Sequence, residues 1–170
     1  AREIPSIANG GLAPDLRTYH FRLRPDKRWA DGRPVKAGDF EYSLKRLLNP
    51  RTGGDSAPLF YIIRGAQEYN TAPRSSPRLK ELENALAVRS LDDHTLEVGL
   101  VEPWAALPQL FALWSAFPLR QDVIDAYGDE WTRPGRYLGN GPFQLSHKAC
   151  TKGFRVNHCQ LNAFELVVDL

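Results

Sequence analysis

Hydrophobic and polar positions change rhythm between residues 18 and 50, and that change sketches the first elements. Tyr19, Phe21 and Leu23 alternate with His20, Arg22 and Arg24, the period of two that a half-buried strand requires, so a strand is predicted over Thr18 to Arg24. Pro25 ends it. Asp31-Gly32 is a turn dipeptide: glycine supplies a positive φ without steric cost, and aspartate bonds its own backbone nearby. From Ala37 the apolar residues Phe40, Leu44, Leu47 and Leu48 fall at i, i+4, i+7 and i+8, the stripe of an amphipathic helix over Ala37 to Leu48. Asn49-Pro50 stops it, because proline cannot continue the hydrogen-bond ladder.

Further along, Leu59, Phe60, Ile62, Ile63 and Ala66 predict a helix within Leu59 to Asn70, set between two breaker segments, Arg51 to Pro58 and Thr71 to Pro77. Ala87 to Val98 alternates on either side of Asp92-Asp93, which reads as a hairpin. Leu107, Leu110, Phe111 and Trp114 sit at helical spacing after Glu102-Pro103-Trp104, and an aromatic stripe at that spacing is expected to be core. Gln121 to Tyr127 is a short predicted helix with Gly128 as its C-terminal stop. Gly153 to Asn157 and Phe164 to Leu170 are predicted strands. Fold class is therefore mixed α and β, with helices packed on a sheet.

The bulk numbers narrow the function more than the fold. A chain of 170 residues that is 42% hydrophobic is globular and long enough for one ordinary domain. A net charge of only +2 implies no strong attraction to nucleic acid or to a membrane surface. No apolar run approaches the ~20 residues that a spanning helix needs, and the opening stretch lacks a signal-peptide layout. Cys150 and Cys159 are compatible either with a disulfide in an exported protein or with free thiols. Together with His147 and His158 they lack the short paired spacing of a structural zinc site, so no metal and no cofactor is expected. Asp92 and Asp93 do not read as a catalytic pair, since neighbours in a turn point apart and neither has a burial reason for a raised pKa.

The run from Tyr19 to Pro50 resembles the signature of the family 5 extracellular solute-binding proteins, the peptide receptors of ABC importers. The resemblance rests on Phe21, Leu23, Arg24, Trp29, Asp31, Gly32, Pro34, Val35, Ala37, Asp39, Phe40, Tyr42, Ser43 and Arg46. Two further stretches are similar to the same family: the hairpin around Asp92-Asp93, and Tyr127 to Leu145, which contains Trp131, Gly139, Asn140, Gly141 and Pro142. Physically, the glycines and Pro142 read as a special turn leading into a strand, with Asn140 able to adopt left-handed geometry. Lys36 departs from the family, which places Thr or Ser there. A lost hydroxyl N-cap is typically worth about 1 kcal/mol, so this helix start is expected to be weaker or to be capped by Asp39. After Leu145 the resemblance thins, and nothing about Cys150 or Cys159 is carried over.

The resemblance implies the small lobe of a type II periplasmic-binding-protein fold, with a mixed sheet. Residues 1–17 would lead in from a larger lobe, 18–145 would form the small lobe, and 146–170 would return towards the larger one. Family members are about three times longer, so the chain is expected to be a fragment lacking half of the ligand cleft. The implied function is solute capture, with peptide as the first ligand class and importer permease subunits as partners. It would occur in the periplasm or outside the cell, the full-length protein being open to membrane anchoring as a lipoprotein. Phe60, Tyr61 and Asn140 are the implied ligand contacts. Other readings are a solute-binding lobe reused as a regulatory or docking module, or a small hydrolase. The hydrolase lacks a G-x-S-x-G motif, and His20, His94, His147 and His158 stand outside any catalytic pattern. A lobe parted from its partner is also expected to expose apolar surface and to self-associate.

Overall fold

In the computed structural model, which describes residues 1–141, 143–145 and 164–166, the alternating residues of the first strand become the inner face of a three-stranded sheet. The strands are β1 (Thr18–Arg22), β2 (Val88–Asp92) and β3 (Thr95–Gly99), in the order β1-β3-β2. Tyr19 lies opposite Val98 and Phe21 opposite Leu96, while Val88 meets Val98 from the other side, so one face collects all five apolar side chains. Where the resemblance implies a mixed sheet, every described pairing is antiparallel. The reason is local: β2 and β3 form a hairpin around Asp93-His94, and β1 joins the free side of β3 running the opposite way. Beyond Arg22 the pairing frays but does not stop, since the Leu23 N–H still donates to the His94 carbonyl at 2.7 Å.

The chain divides into two units, one of Ala1–Pro25 with Lys36–Leu119 and one of Asp26–Val35 with Arg120–Leu170. Residues 18–145, expected as one lobe, contribute to both. In the first unit helix α1 (Ala37–Leu48) lays Leu44 and Leu48, both fully buried, over β2 and β3. Fully burying a leucine is worth roughly 1.5–3 kcal/mol, so this face is a main source of the unit's stability. The start of α1 is held by Asp39, whose carboxylate accepts from the Lys36 N–H at 2.9 Å. Lys36 itself reaches Asp93 in the hairpin turn, with its ammonium 2.9 Å away. The Lys36 side chain makes no cap bond of its own, and the helix start rests on the aspartate and an exposed ion pair.

The expected helix over Leu59 to Asn70 is instead a 3-10 helix (Ala57–Phe60) followed by the short α2 (Ala66–Thr71). Gly65 is the cause: its φ is +84°, and a Cβ there would sit 3.2 Å from the Ala85 carbonyl oxygen. That turn lets the Arg64 and Ala87 backbones pair, which a continuous helix would forbid. Helix α3 (Leu79–Ala85) follows, placing Leu82 and, just past its end, Leu86 in the core. The expected second helix shrinks to α4 (Leu107–Leu110) and a 3-10 turn (Trp114–Ala116). Leu107 and Leu110 are buried as expected, but Trp114 is 76% exposed, because the helical register ends before reaching it.

Glu41 ties α1 to the edge strand β2. One carboxylate oxygen accepts from the Ser90 N–H at 2.7 Å and from its hydroxyl at 2.6 Å, and the other meets the Lys45 ammonium at 2.5 Å. Burial pushes its pKa up, but the Lys45 and Ser90 bonds outweigh that and hold it below the ordinary glutamate value. A lowered folded-state pKa contributes stability above the unfolded value, about 4.3, and loses it as pH falls through the folded one. Glu41→Gln is therefore expected to cost about 1.5–3 kcal/mol at pH 7, as a hydrogen-bonded charge does. Its penalty should shrink towards pH 3. Urea midpoints of both proteins at the two pH values check this, and an equal penalty at both would assign the loss to packing rather than to charge.

Candidate functional site

In the second unit the signature residues Trp29, Asp31 and Gly32 form one compact turn. The Gly32 N–H donates to the Trp29 carbonyl at 2.9 Å, and Gly32 adopts φ +82°, the left-handed geometry for which glycine is suited. The Arg33 N–H donates to the Asp31 carboxylate at 3.1 Å, so aspartate folds the turn through its own side chain. The turn then meets the second signature: the Ala30 N–H donates to the Gly139 carbonyl at 2.9 Å. Two segments more than 100 positions apart in sequence are thereby joined in one unit.

Their anchor is Arg120, which opens helix α5 (Gln121–Tyr127) and is only 8% exposed at its side chain. Its guanidinium donates to Asp31 at 2.8 Å and grips both oxygens of Asp122 at 2.8 and 2.6 Å. It also stands 5.7 Å from the centre of the buried Trp29 ring, within cation–π range. Arg33 adds a second cation, 3.0 Å from Asp122. Hydrogen bonding from Arg120 is the foremost cause of the lowered Asp122 pKa. For Asp31, burial acts upward and is outweighed by the bonds from Arg120 and Arg33, leaving its pKa lowered too. Carboxylates clamped between arginines favour their ionised forms, an arrangement suited to holding the turn in shape.

Sequence reasoning missed Arg120, because its partner Asp31 lies 89 positions away and no local pattern links them. Gly139, Asn140 and Gly141 precede the strand Phe143–Leu145, and none of the three takes a left-handed φ, so the geometry open to Asn140 is not used. At Gly139 a Cβ would stand 3.3 Å from the Tyr137 ring, a tight contact that the ring would have to shift to relieve. Asn140 and Gly141 are exposed. Trp131 is half-buried and packs at 5.9 Å against Tyr137, while Pro142 lies outside the described residues.

In the first unit, Asp39 and Phe40 belong to α1, Asp39 as its cap and Phe40 half-buried against the core. Phe60 is fully buried, with its ring edge-on to Phe111 at 6.4 Å; Phe111 in turn stacks on Phe21 at 4.9 Å. The Phe60 ring is thus consumed by packing and has no face to offer a ligand. Tyr61, next to it, is half-buried, and its hydroxyl donates to Asn70 at 2.7 Å; Asn70 in turn donates to the Leu48 carbonyl. Among the described residues no three His, Cys, Asp or Glu side chains gather into a metal-binding group, and no helix is long and apolar enough to cross a membrane. His147, Cys150, His158 and Cys159 lie outside the described residues.

Comparison with known proteins gives this geometry a context. The profile of the bacterial extracellular solute-binding proteins, family 5 Middle, matches residues 4–155. The dipeptide-binding protein DppE of Bacillus subtilis is 36% identical over 136 residues, which are 79% of this chain and 24% of the relative. The periplasmic oligopeptide-binding protein OppA of Escherichia coli is 34% identical over 143 residues, 83% of this chain and 25% of the relative. Among solved structures, the murein tripeptide-binding protein MppA of Escherichia coli superposes with a TM-score of 0.71 at 33% identity, covering 81% of this chain and 26% of that one. The chain spans about a quarter of the length of the relatives it matches.

Proposed function

Because the chain belongs to the bacterial extracellular solute-binding proteins of family 5, we propose that it is a piece of a receptor that captures peptide for an ABC importer. The observation that supports this most directly is similarity above 30% to proteins named for binding dipeptides, oligopeptides and murein peptides. Capture is by binding alone: the receptor changes nothing in its ligand, works outside the cytoplasm and hands peptide to permease subunits. Peptide backbone is recognised by extended hydrogen bonding, and side chains by roomy, wet pockets.

Within this piece Tyr61 and Asn140 are the proposed ligand contacts. Phe60 supports the first of them from beneath, its ring lodged in the core next to Tyr61. A quarter of a receptor presents part of a cleft, and closure around a ligand needs the remainder.

Titration calorimetry against a mixed library of di- to pentapeptides, run on this chain and on the natural full-length product, tests the reading. The full-length product is expected to bind, the 170-residue chain weakly or not at all, and Tyr61→Ala or Asn140→Ala in the full-length product to weaken binding. Absence of peptide binding by the full-length product would overturn the assignment.

A further inference from the structure

Within the first unit the segment Ala1 to Pro5 lies over an open cavity of about 450 Å³. That size falls in the range of roughly 300–1,000 Å³ typical of small-molecule sites. Its floor is the apolar face of β1 and β3, through Phe21 and Leu96, continued by Leu23 just past β1, and its walls are Phe40 from α1 and Phe111 from just beyond α4. The overlying segment is tied down along its length, by the Asn9 side-chain amide donating to the Ile4 carbonyl at 3.0 Å and by the buried Pro5 as well as nearer its start. The Arg2 N–H donates to the Arg22 carbonyl at 2.7 Å, and Glu3 stands 4.0 Å from the Arg22 guanidinium. Ile4 borders the cavity and is 76% exposed, so apolar surface continues from the interior to the mouth.

Charge at the mouth is unbalanced. The Glu3 carboxylate is matched by Arg22, whereas the Arg2 side chain makes no ion pair or hydrogen bond among the described residues. An apolar, partly aromatic interior with an uncommitted cation at its rim is complementary to one kind of small molecule. We propose that this cavity binds a single-chain amphipathic anion, with its apolar chain against Phe21, Phe40 and Phe111 and its anionic head beside Arg2. A neutral or cationic chain of equal length satisfies the interior but leaves the rim charge unmatched or repelled. The site is separate from peptide capture: it lies wholly in the first unit, and neither Tyr61 nor Asn140 lines it.

The test is calorimetric titration of the 170-residue chain with dodecanoate, dodecanol and dodecyltrimethylammonium, each below its micelle-forming concentration. Saturable one-to-one binding is expected, tightest for dodecanoate. Arg2→Gln alters an exposed side chain at the rim, and should weaken dodecanoate about two- to five-fold, the scale of a rim ion pair, while leaving dodecanol unchanged. Ala112→Trp adds bulk at an exposed position on the cavity wall and should abolish binding of all three. Uptake without saturation, or binding that Ala112→Trp leaves intact, would overturn the site. Equal affinity for the three chains with no effect of Arg2→Gln would overturn its anionic selectivity. Each outcome is independent of whether the full-length product binds peptide.

Discussion

Phe60→Ala is expected to lower the unfolding free energy by about 3–5 kcal/mol, the range for emptying a phenylalanine site in a packed core. Phe60 is fully buried and leans on Phe111, which stacks on Phe21 of the first strand, so its removal opens a cavity beneath both the sheet and α4. A loss of that size is a large share of the 5–15 kcal/mol that holds a typical domain together. Tyr61→Phe, by contrast, removes a half-buried hydroxyl and its bond to Asn70, and should cost about 1 kcal/mol. Urea unfolding of the two variants side by side checks the division of labour between neighbours. If Phe60→Ala cost less than Tyr61→Phe, the ring would not be part of the core and could serve a ligand instead.

The second large effect is expected at Arg120. Arg120→Met keeps the apolar stem but removes the charge between Asp31 and Asp122 and the cation beside Trp29. Breaking a fully buried ion pair from one side costs roughly 3–5 kcal/mol. Asp122 is half exposed and regains water, so about 2–3 kcal/mol is the expected loss here. Arg120→Lys should recover only part of it, since an ammonium cannot grip both oxygens of Asp122 while holding Asp31. Both carboxylates have lowered pKa values, so this contribution is present above the unfolded aspartate value, about 3.9, and falls away below it. Urea unfolding at pH 7 followed by tryptophan emission measures the loss. A change below about 0.5 kcal/mol would show that the cluster is screened like an ordinary surface ion pair.

How far the fold can be read from the residues depends on where the deciding contact lies. Helix α1 is legible to the residue because its apolar stripe and its Asn49-Pro50 stop are both local, and α5 because Gly128, at φ +52°, ends it as expected. The hairpin is legible from alternation around Asp92-Asp93. Leu59 to Asn70 is misread because helical spacing hides the requirement at Gly65, which arises from the Ala85 carbonyl 20 positions later. Trp114 is misread because periodicity continues on paper after the helix has ended at Leu110. Helix α3 offers Leu79, Leu82 and Leu86 at helical spacing, but it is only seven residues long and buries a single one of them within its bounds, too short a stripe to stand out from the chain that flanks it. For the candidate site, the Trp29–Gly32 turn and Gly139 are recognisable separately. That they share a hydrogen bond and are pinned by Arg120 is tertiary information with no local trace.

The second unit is assembled from two stretches of chain, and that has a consequence for synthesis. Asp31 leaves the ribosome 89 residues ahead of Arg120. At about 5–20 residues per second, the wait is roughly 4–18 s, far longer than a loop needs to close or a helix to form. During that interval the β1 segment and α1 can collapse while the Trp29 turn between them remains an unanchored loop with an indole in water. Trp29 therefore gains its guanidinium neighbour only when Arg120 emerges, and the Ala30 N–H its carbonyl partner only when Gly139 follows.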